Sequence, residues 1–116
     1  MKKFIVLLAL CLVVFFSSTA LAHPPSDIQL TYDPLTKILK AVIMHNVSNP
    51  TNHYIIKVDV GLNGKEIITQ QISRQDNNTD QTVSYLIPDA KPQDKLSVEA
   101  YCSISGKLEK EITIEK

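Results

Sequence analysis

His53-Tyr-Ile-Ile-Lys-Val-Asp-Val-Gly-Leu62, followed by Asn63-Gly64 and then Lys65-Glu-Ile-Ile-Thr-Gln-Gln-Ile72, decides the fold class. Tyr54, Ile56, Val58, Val60 and Leu62 recur at every second position, with Lys57 and Asp59 between them. A period of two puts the apolar set on one face of an extended chain and the charges on the other. Asn-Gly is the strongest short hairpin signal, because a type I′ turn needs positive φ at both central residues. Lys65 to Ile72 is therefore the expected return strand.

The same pattern extends outward in both directions. Ile28, Leu30 and Tyr32 alternate with polar neighbours, and Ile38 to Met44 is a second apolar-rich segment. Thr82 to Ile87, Leu96 to Ile104 and Leu108 to Ile114 complete a set of seven short segments that favour strands. Turn chemistry separates them at Asp33-Pro34, Ser48-Asn49-Pro50, Asp76-Asn77-Asn78, Pro88-Asp89 and Ser105-Gly106. No segment keeps a helical period. Short strands at regular spacing predict an all-β, immunoglobulin-like antiparallel β-sandwich of about seven strands.

The N-terminus has the organisation of a secretory signal peptide. Lys2 and Lys3 precede an apolar run from Phe4 to Phe16, and Ala20-Leu21-Ala22 supplies small residues for cleavage. The run is short for a membrane span, which needs about 20 residues. Residues 1–22 are thus expected to be removed and residues 23–116 to form a single domain, secreted or periplasmic and free of the membrane after cleavage. Ten basic residues against twelve acidic then leave a net charge of −2, with Arg74 the sole arginine. That balance argues against nucleic acid or an anionic surface as partner. The acidic residues are scattered over expected outer faces and read as solvated.

Cys11 leaves with the leader, so Cys102 has no partner within the mature chain. A lone thiol in an oxidising compartment is buried, paired between chains or bound to metal. Cys102 shares the parity of Leu96, Val98 and Ala100, which suits a core-facing sulfur. His45 ends the second expected strand and His53 begins the third, so the loop between them brings both to one end of the sandwich. His23 precedes the first strand and can reach either end. A histidine in a polar loop such as His45 to Asn49 is ordinarily solvated, and one beside Tyr54 can simply cap a strand edge. Three imidazoles and a thiolate together suit a transition metal: imidazole serves iron, copper and zinc, and sulfur favours softer ions.

The run His45-Asn-Val-Ser-Asn-Pro-Thr-Asn-His53-Tyr54-Ile55 and the later Ala100-Tyr101-Cys102-Ser103-Ile104-Ser105-Gly106 resemble the iron-binding domain of superoxide reductases, the desulfoferrodoxin and neelaredoxin family. The resemblance spans essentially the whole mature chain and implies an immunoglobulin-like sandwich. Residue by residue, His23, His45, His53 and Cys102 would be ligands of a ferrous ion. The family's fourth histidine falls at Ser105, and its glutamate and lysine fall at Leu21 and Ala22, inside the leader. The resemblance implies superoxide as small-molecule substrate, reduced to hydrogen peroxide, with an external electron donor, since no rubredoxin-like cysteine quartet is present. With Ser105 in the fourth histidine's place, one of the family's equatorial ligands is missing. A non-catalytic copper- or zinc-binding module is one alternative, because three histidines and a cysteine can close a four-coordinate site. An immunoglobulin-like interaction domain with a decayed metal site is the other. Cleavage after Ala22 would also place the α-amine of His23 beside its imidazole, as a replacement ligand or as the missing positive charge.

Overall fold

The computed structural model describes residues 23–116; the expected signal peptide lies outside the described residues. Seven strands run in chain order: β1 (Asp27–Asp33), β2 (Ile38–Met44), β3 (Ile55–Leu62), β4 (Lys65–Gln71), β5 (Asp80–Leu86), β6 (Lys95–Cys102) and β7 (Lys107–Thr113). They form a three-stranded sheet in the order β1-β2-β5 and a four-stranded sheet in the order β4-β3-β6-β7. Every pairing is antiparallel. The expected all-β immunoglobulin-like sandwich is what the chain forms.

Alternation builds the core from both sheets. Leu39, Ala41 and Ile43 of β2 face Val58 and Val60 of β3 and Leu96, Val98 and Ala100 of β6 in one buried cluster. Each of these eight side chains is fully enclosed, which makes them the main source of hydrophobic stabilisation. Between β3 and β4, Asn63 and Gly64 take φ of 51° and 83°, the left-handed pair that a type I′ turn requires.

One detail of β3 departs from strict alternation. The register with β6 shifts between Ile55 and Lys57, where Ile55 pairs with Cys102 and Lys57 with Tyr101. This bulge inserts a residue and reverses the parity of everything ahead of it. Ile55 is therefore fully buried, while Ile56, expected on the apolar face, is 38% exposed. The bulge lies two residues from His53 and turns that end of the strand inward.

A second departure concerns charge. Asp94 is buried rather than solvated on an outer face. Its carboxylate accepts from Asn63 Nδ2 at 3.0 Å and from the Lys91 amide at 3.0 Å. The Asn63 contact, foremost, holds its pKa below the ordinary carboxylate value. Asp94 thus locks the β3–β4 turn to the start of β6, at the end of the sandwich away from the histidines.

Candidate metal centre

Three inward-facing rows of side chains end at the same pole. The buried row of β2, Leu39, Ala41 and Ile43, continues into His45, which is 1% exposed. The row of β6 ends at buried Cys102. On β3 the bulge puts Ile55 inward, and His53 stands two residues ahead of it, half-buried. His45 is not the solvated loop residue its polar neighbours suggest. Its amide donates to Thr79 O at 2.9 Å, continuing the β2–β5 ladder by one residue.

Local chemistry brings His53 to Cys102. Asn49 accepts from Thr51 N and Oγ1 through Oδ1 and from the His53 amide through its carbonyl, which closes the loop after β2. Ser103 and Tyr54 then exchange two bonds: the Ser103 amide donates to Tyr54 O at 2.8 Å, and the Tyr54 amide donates to Ser103 Oγ at 3.1 Å. His53 Nε2 consequently lies 3.2 Å from Cys102 Sγ. The sulfur also accepts the Ile104 amide at 3.5 Å.

His23 arrives from the chain segment before β1. The ring centroids of His23, His45 and His53 are 4.8–5.2 Å apart. One ring nitrogen from each lies within 4.8 Å of the others. The four residues that the sequence singles out therefore converge: three imidazoles in mutual contact, with the thiol joined through His53. Ser105 is exposed in the turn after β6.

Gly106 makes the approach of His23 feasible. Its φ of +89° is in the left-handed region, and a Cβ there would stand 2.9 Å from Pro24 Cβ and 3.0 Å from Pro24 Cα and N. The same residue's carbonyl accepts the Cys102 amide at 2.9 Å, so one turn seats both the sulfur and the segment that carries His23. Gly106→Ala is expected to cost about 1–3 kcal/mol of stability, from the strained φ and the backbone clash. It is also expected to weaken metal binding by pushing His23 away. Thermal unfolding and a cobalt(II) titration check the two parts separately.

The protonation pattern suits a metal ion. His23 Nδ1 is 3.2 Å from Pro24 O and His45 Nδ1 is 2.9 Å from Gln75 Oε1. Both partners are oxygens that accept, so a proton on Nδ1 of either ring leaves its Nε2 with the lone pair. Histidines that bind metals donate their other ring N–H to such oxygens as a rule. Burial first, then the neighbouring His45 and His23, hold the His53 pKa below the ordinary imidazole value, so this ring is neutral near pH 7. His45 Nε2 lies 3.2 Å from a second accepting oxygen, His23 O, the longer and less buried of that ring's two contacts. The donor set fits a transition metal, and the iron of the resemblance is among the ions it suits.

An open cleft of about 470 Å³ reaches the cluster from solvent, lined by His23, Asn46, Val47, Ser48, Asn49, Asn52, His53 and Ile104. Among the described residues, no lysine or arginine lines it. Of the residues that position the cluster, Gly106 shows in the sequence as turn chemistry, whereas only the folded chain shows what Gln75 and Ser103 touch.

An immunoglobulin-like sandwich with three histidines and a cysteine gathered at one pole is the class that fold and site define. No protein-family model matches the chain, and no curated protein sequence matches it. Solved structures do. The superoxide reductase (1Fe-SOR) from Giardia intestinalis superposes with a TM-score of 0.59 at 18% identity, covering 79% of this chain and 100% of that one. A crystal structure of superoxide reductase in the oxidized state aligns with a TM-score of 0.50 at 19% identity, covering 84% and 94%. The fold is that of the superoxide reductases.

Proposed function

We propose that this protein is an exported metalloprotein of the superoxide-reductase type, with His23, His45, His53 and Cys102 as ligands of a single ferrous ion. The observation that carries the reading is the meeting of Cys102 Sγ with His53 Nε2 at 3.2 Å beside two further imidazoles, on the fold of proteins that are themselves superoxide reductases. Bound ferrous iron would supply the one electron that, with two protons, converts superoxide to hydrogen peroxide. An external donor would return that electron.

The chain's own residues have definable parts. Cys102 and the imidazoles hold the ion, and the cleft over His23 and His53 admits a small anion. Asn46, Asn49 and Asn52 line that entrance with neutral amides, so attraction of superoxide falls to the ion itself. The main chain of His23 lies at the cluster, its carbonyl 3.2 Å from His45 Nε2. Release of the α-amine by cleavage after Ala22 belongs to this reading, as a further donor where Ser105 offers none.

Anaerobic loading of the mature chain with ferrous iron tests the proposal. Expected are one iron per chain, a visible thiolate-to-ferric band on oxidation, and one peroxide formed per superoxide consumed. One specific feature favours a second reading: with Ser105 exposed, the set is three imidazoles and one sulfur, enough to close a tetrahedral zinc or copper site without catalysis. Zinc or copper retained through purification, with no iron uptake, would establish that module instead.

A further inference from the structure

Gln75 lies in the loop between β4 and β5, thirty positions from His45, yet it is wholly enclosed, 0% exposed. A buried primary amide is tolerated only when its hydrogen-bonding groups are matched. Gln75 Nε2 donates to His45 O at 2.8 Å and to Asn77 O at 2.9 Å. Both amide protons are thereby committed to main-chain carbonyls. The Gln75 main-chain amide donates to Pro50 O at 3.0 Å, which anchors the residue to the loop that leads to His53.

This arrangement has one orientation. Turning the side-chain amide over would set its oxygen against two carbonyl oxygens and break both donations. Oε1 therefore faces His45 Nδ1, at 2.9 Å, and can only accept. A neutral ring has one proton for two accepting oxygens, Gln75 Oε1 at 2.9 Å from Nδ1 and His23 O at 3.2 Å from Nε2; the shorter and fully buried contact, to Gln75, takes it. Which imidazole nitrogen is free to ligate is set by the hydrogen bond the other one makes, and the free histidine side chain favours the opposite tautomer, protonated at Nε2.

We infer that Gln75 is a positioning residue of the histidine cluster: it holds His45 as the Nδ1–H tautomer, which leaves the Nε2 lone pair on the side of His23. The partner is an amide and not a carboxylate, so it orients the ring without adding negative charge to the buried site. The residue also ties three segments together: the end of β2 and the loop before β5 through its side chain, at His45 and Asn77, and the loop before β3 through its main-chain amide, at Pro50. The tautomer is a property of the metal-free protein. Its consequence for metal affinity rests on the metal-site reading above.

Nitrogen-15 to proton correlation spectra of the metal-free protein, at about pH 8.5 where an ordinary imidazole is neutral, read the tautomer directly. Wild type is expected to show His45 protonated at Nδ1, and Gln75→Leu to show the Nε2–H form gaining population. In a cobalt(II) titration, Gln75→Leu is expected to bind about 10–100-fold more weakly, the usual effect of removing the outer partner of a ligating histidine. A wild-type spectrum with His45 protonated at Nε2 overturns the inference even if the variant fails to fold. Equal cobalt affinity in wild type and variant overturns the positioning role. A wild type that takes up no cobalt at all removes the metal-site reading, while the spectrum still decides the tautomer.

Discussion

Cys102→Ser is expected to weaken cobalt(II) or ferrous binding by more than about 100-fold, beyond the 10–100-fold typical of losing an outer partner. The sulfur-to-metal charge-transfer absorption should vanish with it. A thiolate is an anionic, polarizable donor, whereas a serine hydroxyl keeps its proton at neutral pH and competes poorly for a soft ion. The two side chains are close in size, and the Ile104 amide that now donates to Sγ can donate to the hydroxyl instead. The fold should therefore persist, with a stability change of about 1 kcal/mol. Absorption-monitored cobalt titration is the direct measurement. Wild-type affinity in the serine variant would make Cys102 a core residue and nothing more.

His45 and His23 should separate structural from ligating roles. His45→Ala removes a side chain that is 1% exposed and leaves Gln75 Oε1 buried without its donor. The orphaned acceptor costs about 1–3 kcal/mol, and the cavity adds to it on the scale of large-to-small core substitutions. A total near 3–5 kcal/mol is a large share of the stability of a domain this size. The metal-free melting temperature should fall by about 15–30 °C. His23→Ala removes an exposed ring that edges the other two imidazoles and whose one ring hydrogen bond is to its own neighbour's carbonyl, so the metal-free melting temperature should barely move. Both variants should lose metal affinity. Melting curves without metal, set beside cobalt titrations, distinguish a site with three working imidazoles from a buried histidine that serves packing alone.

Alternation and turn residues were enough to specify the sandwich. The periods of two in β1, β2, β3 and β6 and the Asn63-Gly64 turn are local signals, because side-chain direction in a strand and positive φ in a turn are properties of a few adjacent residues. The candidate ligands were visible too, since His45 and His53 flank one loop and Cys102 shares the inward parity of β6. Parity failed at Ile55 and Ile56. A bulge depends on what the neighbouring strand offers, and nothing within β3 announces it.

The chain's own order of residues thus determined a seven-stranded β-sandwich and the set of side chains able to bind a soft metal. Tertiary structure alone decided that these side chains meet, through three core rows that end at one pole and through the β3 bulge that turns His53 toward sulfur. It also decided which atoms are presented, by burying Gln75 against His45 and by letting Pro24 rest on Gly106. Contacts between residues thirty or eighty positions apart leave no periodic trace in sequence, because they depend on how the sheets stack and not on neighbouring side chains.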